Sequence, residues 1–106
     1  MQYINDQILN ISPLATTTSI SVNLLHYFLC SVQFVWTGTP TGTVSLQESN
    51  DNINWSPIAG ASQATGGSAG NVSIDITNIS AGYIQAVYTH VSGAGTVTAQ
   101  LNAKGN

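Results

Sequence analysis

Ser31-Val32-Gln33-Phe34-Val35-Trp36-Thr37 runs through Gly38-Thr39-Pro40-Thr41 into Gly42-Thr43-Val44-Ser45-Leu46-Gln47, and the same text returns later in the chain. The second copy reads Tyr83-Ile84-Gln85-Ala86-Val87-Tyr88-Thr89 and then, past a Ser-Gly loop, Gly95-Thr96-Val97-Thr98-Ala99-Gln100. Gln33 aligns with Gln85, Val35 with Val87, Trp36 with Tyr88, Thr37 with Thr89, and Gly42-Thr43-Val44 with Gly95-Thr96-Val97. Both halves of each copy alternate apolar and polar residues, the period of a strand that buries one face. With Gly and Pro between the halves, each copy reads as a β-hairpin. Two copies of one unit in 106 residues predict a sandwich whose sheets share a plan.

Outward from these units the same period recurs, and no stretch has helical periodicity. A short strand is expected over Gln7 to Ile11, closed by Ser12-Pro13, and another over Ser19 to Leu24. Phe28 to Trp36 alternates with Phe28, Cys30, Val32, Phe34 and Trp36 on one face, while Leu29 and Val35 make the other face apolar. That pattern predicts a central strand covered on both sides. Thr43 to Glu48, Asn71 to Ile76, Tyr83 to Val91 and Thr96 to Ala103 complete the set. Gly60 to Gly70 holds four glycines and no large apolar residue, and it reads as a mobile surface loop or a segment ordered only by a neighbouring subunit. Seven or eight short antiparallel strands with turns between them define an all-β fold, a β-sandwich of jelly-roll type. Residues 19–106 form the sandwich, and residues 1–18, which fit neither repeat, form an N-terminal arm or edge strand.

Composition narrows the function. Charged residues make 5% of the chain, against about 25% in an average soluble protein. Ser, Thr, Asn and Gln supply 41 of the 106 residues, so the surface is polar without being charged. Such side chains are buried against a partner at less cost than ions, which suits dense self-assembly. Lys104 is the only basic residue besides the two histidines, so no patch exists to neutralise phosphates and nucleic acid is not an expected partner. Leu24 to Trp36 is too short and too polar to span a bilayer, and no membrane insertion is expected. The first residues lack the basic and apolar regions of a secretory signal. Asn-X-Ser sequons at Asn10, Asn54, Asn71 and Asn78 are what so much Asn and Ser yields by chance. Cys30 stands alone in an apolar strand and reads as a buried, unreactive thiol.

Candidate chemistry is sparse. In Glu48-Ser49-Asn50-Asp51-Asn52-Ile53-Asn54-Trp55 the Asn and Asp residues form a tight turn, and Trp55 with Ile58 returns to cap the core. Glu48 and Asp51 are also the candidate oxygen ligands for calcium, helped by Asn50 or Asn52. His26 and His90 have no metal-ligand spacing, no serine sits in a nucleophile elbow, and no enzyme and no cofactor are expected. His90 is read in the exposed loop of the second hairpin. Aromatic faces bind sugars by stacking, and Tyr27, Trp55 and Tyr83 are the candidate stacking residues, with Trp36 and Tyr88 assigned to the core.

Residues 32–47 with Ser49-Asn50-Asp51 and Asn54-Trp55, together with Tyr88-Thr89 and Ala99 to Gly105, resemble small structural proteins of tailed and marine bacteriophages. The resemblance covers residues 28–105. It implies a virion component in a capsid, decoration layer, spike or tail, with copies of itself and phage capsid or tail proteins as partners and the virion as location. Leu46 to Asp51 with Asn54-Trp55, and Tyr83 to Tyr88, are similar to discoidin-like carbohydrate-binding jelly rolls, which implies recognition of host glycans. Gln85 stands where those domains carry arginine, and the chain is shorter than they are. The virion reading makes the chain a homo-oligomer. Tyr3, Ile4, Ile8 and Ile11 are the candidate subunit-contact residues, in an arm that adds a strand to a neighbour.

Overall fold

The computed structural model describes residues 2–11, 15–25, 27, 29–77 and 81–105. The described residues hold nine strands and no helix: β1 (Gln2–Ile11), β2 (Thr17–Thr18), β3 (Val22–Asn23), β4 (Leu29–Gly38), β5 (Thr41–Ser49), β6 (Ser56–Ala64), β7 (Gly70–Thr77), β8 (Tyr83–Ser92) and β9 (Gly95–Gly105). β2 and β3 both pair with β8 and make one interrupted edge. At the interruption Ser19 replaces the ladder. Its N–H donates to the Ala86 carbonyl at 2.8 Å, and its hydroxyl oxygen accepts the Ala86 N–H at 2.8 Å.

With β2 and β3 counted together, the pairing is antiparallel throughout and runs from the ends inward. β1 pairs with β9, β2/β3 with β8, β4 with β7, and β5 with β6. The chain is thus one long ribbon folded double. Rolling it up sets β4 beside β9 and β5 beside β8, which yields sheets ordered β1-β9-β4-β7 and β2/β3-β8-β5-β6. This is the jelly roll that the sequence predicts.

The repeated units, however, are not hairpins. β4 and β5 belong to different sheets, as do β8 and β9, so each unit leaves one sheet and enters the other through a corner. The two copies pair with each other instead. Trp36 lies opposite Val97 as Tyr88 lies opposite Val44, Thr37 opposite Thr96 as Thr89 opposite Thr43, and Gln33 opposite Gln100 as Gln85 opposite Gln47. Every one of these pairs maps onto its counterpart, so the repeat is an internal two-fold that runs between the corners. The Thr39 N–H donates to the Ala94 carbonyl at 2.8 Å and joins one corner to the other. A corner and a hairpin use the same turn residues, which is why local text did not separate them.

The core lies between the sheets. Val32, Phe34, Val44, Leu46, Ala86, Tyr88, Val97, Ala99 and Leu101 are all fully buried in it. Large and small side chains alternate across the two-fold, with Phe34 opposite Ala99 and Leu46 opposite Ala86. Trp36 is also in the core, as expected, and its indole N–H donates to the Ser68 carbonyl at 2.9 Å.

Four expectations are corrected here. β4 is central, but its outer face is open: Leu29 is 38% and Val35 40% exposed, because no strand among the described residues packs on that side of the sheet. The start of the glycine-rich stretch is strand β6, missed because Ala61 is its only fully buried residue. The rest of that stretch is tied down, with the buried Thr65 hydroxyl donating to the Pro40 carbonyl at 2.8 Å and the Gly67 N–H donating to the same carbonyl at 2.9 Å. β1 begins at Gln2 and carries a bulge between Gln7 and Leu9, which turns both Ile8 and Leu9 into the core and hides its period from the sequence. Ile8 and Ile11, read as subunit contacts, are therefore core residues of their own chain, and Ile4 packs beside them. Ser12-Pro13, His26, Phe28 and Asn78 lie outside the described residues.

Candidate functional site

The turn between β5 and β6 is the most heavily bonded surface segment. The Ser49 hydroxyl, itself buried, donates to Asp51 Oδ1 at 2.9 Å and accepts the N–H groups of Asp51 and Asn52. Asp51 Oδ1 accepts the N–H groups of Ile53 at 3.0 Å and Asn54 at 2.8 Å, and Oδ2 accepts the Asn54 side-chain amide at 2.7 Å. Asn52 adopts φ 62°, a conformation that Asn tolerates best among residues with a side chain. The fixed loop holds Ile53 in solvent at 77% exposure.

These bonds set the titration of Asp51. The backbone N–H groups of Asn54 and Ile53, then the Asn54 amide and the Ser49 hydroxyl, hold its carboxyl well below the usual carboxylate range. A depressed folded-state value stabilises the fold above the unfolded value of 3.8, and that contribution is lost as pH falls below it. Asp51→Ala is therefore expected to lower the melting temperature at neutral pH. The gap to the parent protein should close as the pH of the melts drops below about 4.

Glu48 and Asp51, the candidate metal ligands, line one open hollow of about 440 Å³ with Asn50, Asn54 and Ser56. The fold brings them together, yet both Asp51 oxygens already accept bonds from the turn. Among the described residues no three or more His, Cys, Asp or Glu side chains gather to hold a metal ion.

A second open cleft, of about 470 Å³, lies where β1 and β4 begin and β7 and β9 end. Tyr3, Leu29, Asp75, Thr77, Asn102 and Lys104 line it, and the Tyr3 hydroxyl donates to Asn102 Oδ1 at 3.4 Å. Tyr3 alone of the four candidate contact residues is exposed. Leu25 belongs to this end too, beside Gly82, which also borders the Asn50 carbonyl. Among the described residues, four of the seven exposed large apolar side chains, Tyr3, Leu25, Leu29 and Ile53, thus lie at the end of the sandwich away from the corners, and Ile20, Val35 and Val91 lie elsewhere.

Of the candidate stacking residues, Tyr27, Trp55 and Tyr83 are all half-buried. Tyr27 packs against the core. His90 is a strand residue and not a loop residue. It is half-buried, with its Nδ1 3.0 Å from the Tyr88 hydroxyl. Burial, with Asp75 nearby, pushes the Cys30 thiol up to about 11, so it stays protonated at neutral pH. Sequence reasoning missed the polar outer face of the β2/β3-β8-β5-β6 sheet, where the buried Gln85 amide donates to Gln47 Oε1 at 2.7 Å. The alignment of Gln33 with Gln85 and of Gln47 with Gln100 was the signal for it.

No protein-family model matches the chain, and no curated protein matches it in sequence. Solved structures share its fold. The SPBc2 prophage-derived protein YomS superposes with a TM-score of 0.73 at 9% identity, over 96% of this chain and 92% of that one. The PBSX exported protein XepA gives 0.68 at 16% identity, over 97% of this chain but only 37% of its own. The N-terminal cellulose-binding domain of Cellulomonas fimi β-1,4-glucanase C gives 0.53 at 11% identity, over 98% and 88%. At these identities the likeness is one of fold.

Proposed function

We propose that the chain is a structural component of a bacteriophage particle, a minor capsid, decoration, spike or tail protein that attaches to copies of itself or to the shell. The observation that carries this reading is the end-to-end correspondence with prophage-derived YomS, in which neither chain has a large part left over. The surface agrees with it. Among the described residues, four of the seven exposed large apolar side chains lie at one end, and the surface as a whole is rich in neutral amides and hydroxyls that crowd without mutual repulsion.

Particles induced from cells that carry the gene, banded on a density gradient, should contain this chain at a fixed ratio to the major shell protein. Its presence in the lysate but absence from washed particles would refute the reading. The likeness to a cellulose-binding domain favours glycan recognition as the second reading. A glycan array distinguishes the two: saturable binding that Trp55→Ala or Tyr83→Ala abolishes belongs to the second.

A further inference from the structure

We propose that the free edge of β7 is the surface on which a second copy of the chain docks, strand against strand and antiparallel, with Ile74 on the two-fold axis. The proposal rests on the self-association part of the reading above and names the edge that would carry it.

A sheet edge presents unpaired N–H and C=O groups, and proteins that remain single copies block such edges. Three of the four edges here are blocked. β1 has its bulge, and it places Asp6 opposite the fully buried Leu101, so that a charge stands on the core side of the strand. β2/β3 is broken in two. β6 contains Pro57, a register shift opposite Ser45 to Gln47, and Gly60 at φ +77°. β7 has none of these devices. Its eight pairs with β4, from Leu29–Thr77 to Trp36–Gly70, run without a shift, and among the described residues it pairs with β4 alone.

The packing beside this edge is unfinished. Val72, Ile74 and Ile76 face the core but are only partly buried, whereas the core-facing residues of the neighbouring β4 are 0–5% exposed. A further strand would cover the three side chains while it satisfied the backbone.

The sequence of the edge selects a second copy as that strand. Asn71-Val72-Ser73-Ile74-Asp75-Ile76-Thr77 is symmetric in character about Ile74. Residues opposite one another in a sheet share a face, so only registers centred on a residue are allowed. Centring on Ile74 pairs Val72 with Ile76 on the core side, and Asn71 with Thr77 and Ser73 with Asp75 on the outer side. Each carboxylate then meets a hydroxyl. Centring on Asp75 would set two carboxylates face to face, and centring on Ser73 would leave Ile76 opposite Gly70. The Ile74 register joins two four-stranded sheets into one continuous sheet of eight.

Cysteine pairing reads the register directly. In a Cys30→Ala background, chains carrying Ser73→Cys are mixed with chains carrying Asp75→Cys and oxidised gently. Opposite positions lie within disulfide reach, and like positions, offset diagonally by two residues, do not. The mixture should give a reductant-sensitive dimer of twice the 11.0 kDa chain mass, and each variant alone should stay single. Dimer from Ser73→Cys alone would place the axis on Ser73 and overturn the register. No dimer from the mixture while the parent protein is oligomeric by light scattering would overturn the edge and leave self-association standing. No dimer together with a monomeric parent protein would overturn both.

Discussion

Gly95→Ala is expected to destabilise the fold by on the order of 4 kcal/mol, through backbone strain and a backbone clash together. Gly95 opens β9 at the corner where the chain changes sheets, with φ +139°, a conformation that side chains rarely adopt. A Cβ there would lie 1.9 Å from the Thr37 carbonyl oxygen and 3.1 Å from Gly38 Cα. Both are backbone atoms of the other corner, so no rotamer change relieves the overlap. The corners would have to separate and break the Thr39–Ala94 bond that joins them. Gly60→Ala is the control. Its φ of +77° imposes the conformational cost, but no atom lies within 4 Å of the added carbon. That variant should lose only about 1 kcal/mol. Thermal melts of the pair separate strain from contact, and equal losses would mean that the corners do not press on one another as described.

Phe34→Ala is expected to cost about 3–5 kcal/mol, the range for removing a buried phenyl ring from a packed core. The ring is fully buried on β4 opposite Ala99, and a methyl group is too small to close the space between them. A domain of this size is stable by about 5–15 kcal/mol, so the variant should sit near its unfolding threshold. The internal two-fold adds a sharper expectation. Leu46 opposite Ala86 is the counterpart pair in the other sheet, so Leu46→Ala should lose about 2–5 kcal/mol in turn. The sites face different sheets but share one core, so the double variant should not fold. Urea titration gives both values, and a loss below about 1 kcal/mol at Phe34 would show a core that collapses onto its voids.

What the sequence made legible was everything that depends on neighbours along the chain. Alternation placed β4, β5, β7, β8 and β9 close to where they lie, because each buries one face and period two records that directly. The repeated text was a true signal of internal symmetry. What it did not reveal was who pairs with whom. Val44 finds Tyr88 and Trp36 finds Val97 across half the chain, and nothing in a Gly-Thr-Pro-Thr turn distinguishes a return along the same sheet from a crossing to the other. β6 escaped because an edge strand of Ser, Ala and Gly buries too little to leave a pattern. The first half of β1 escaped because the bulge breaks the period, and only Gln7 to Ile11 was read as strand. That a turn forms at Asp51 was readable, since Asx chemistry is local, though the Ser49 hydroxyl at its centre was not, and the half-burial of Tyr27, Trp55 and Tyr83 depends on packing from distant strands. The residues of β7 were plain in the sequence, but its place at the end of a sheet, among the described residues, appears only once the sheet order is known.

We propose that this jelly roll acts by joining copies of itself. Light scattering on the purified chain after size exclusion, over a range of concentrations, tests it most directly. A defined multiple of the 11.0 kDa chain mass that persists on dilution and at raised salt is the expected result, because neutral backbone and apolar contacts are weakly screened. A single chain mass at every concentration would contradict it.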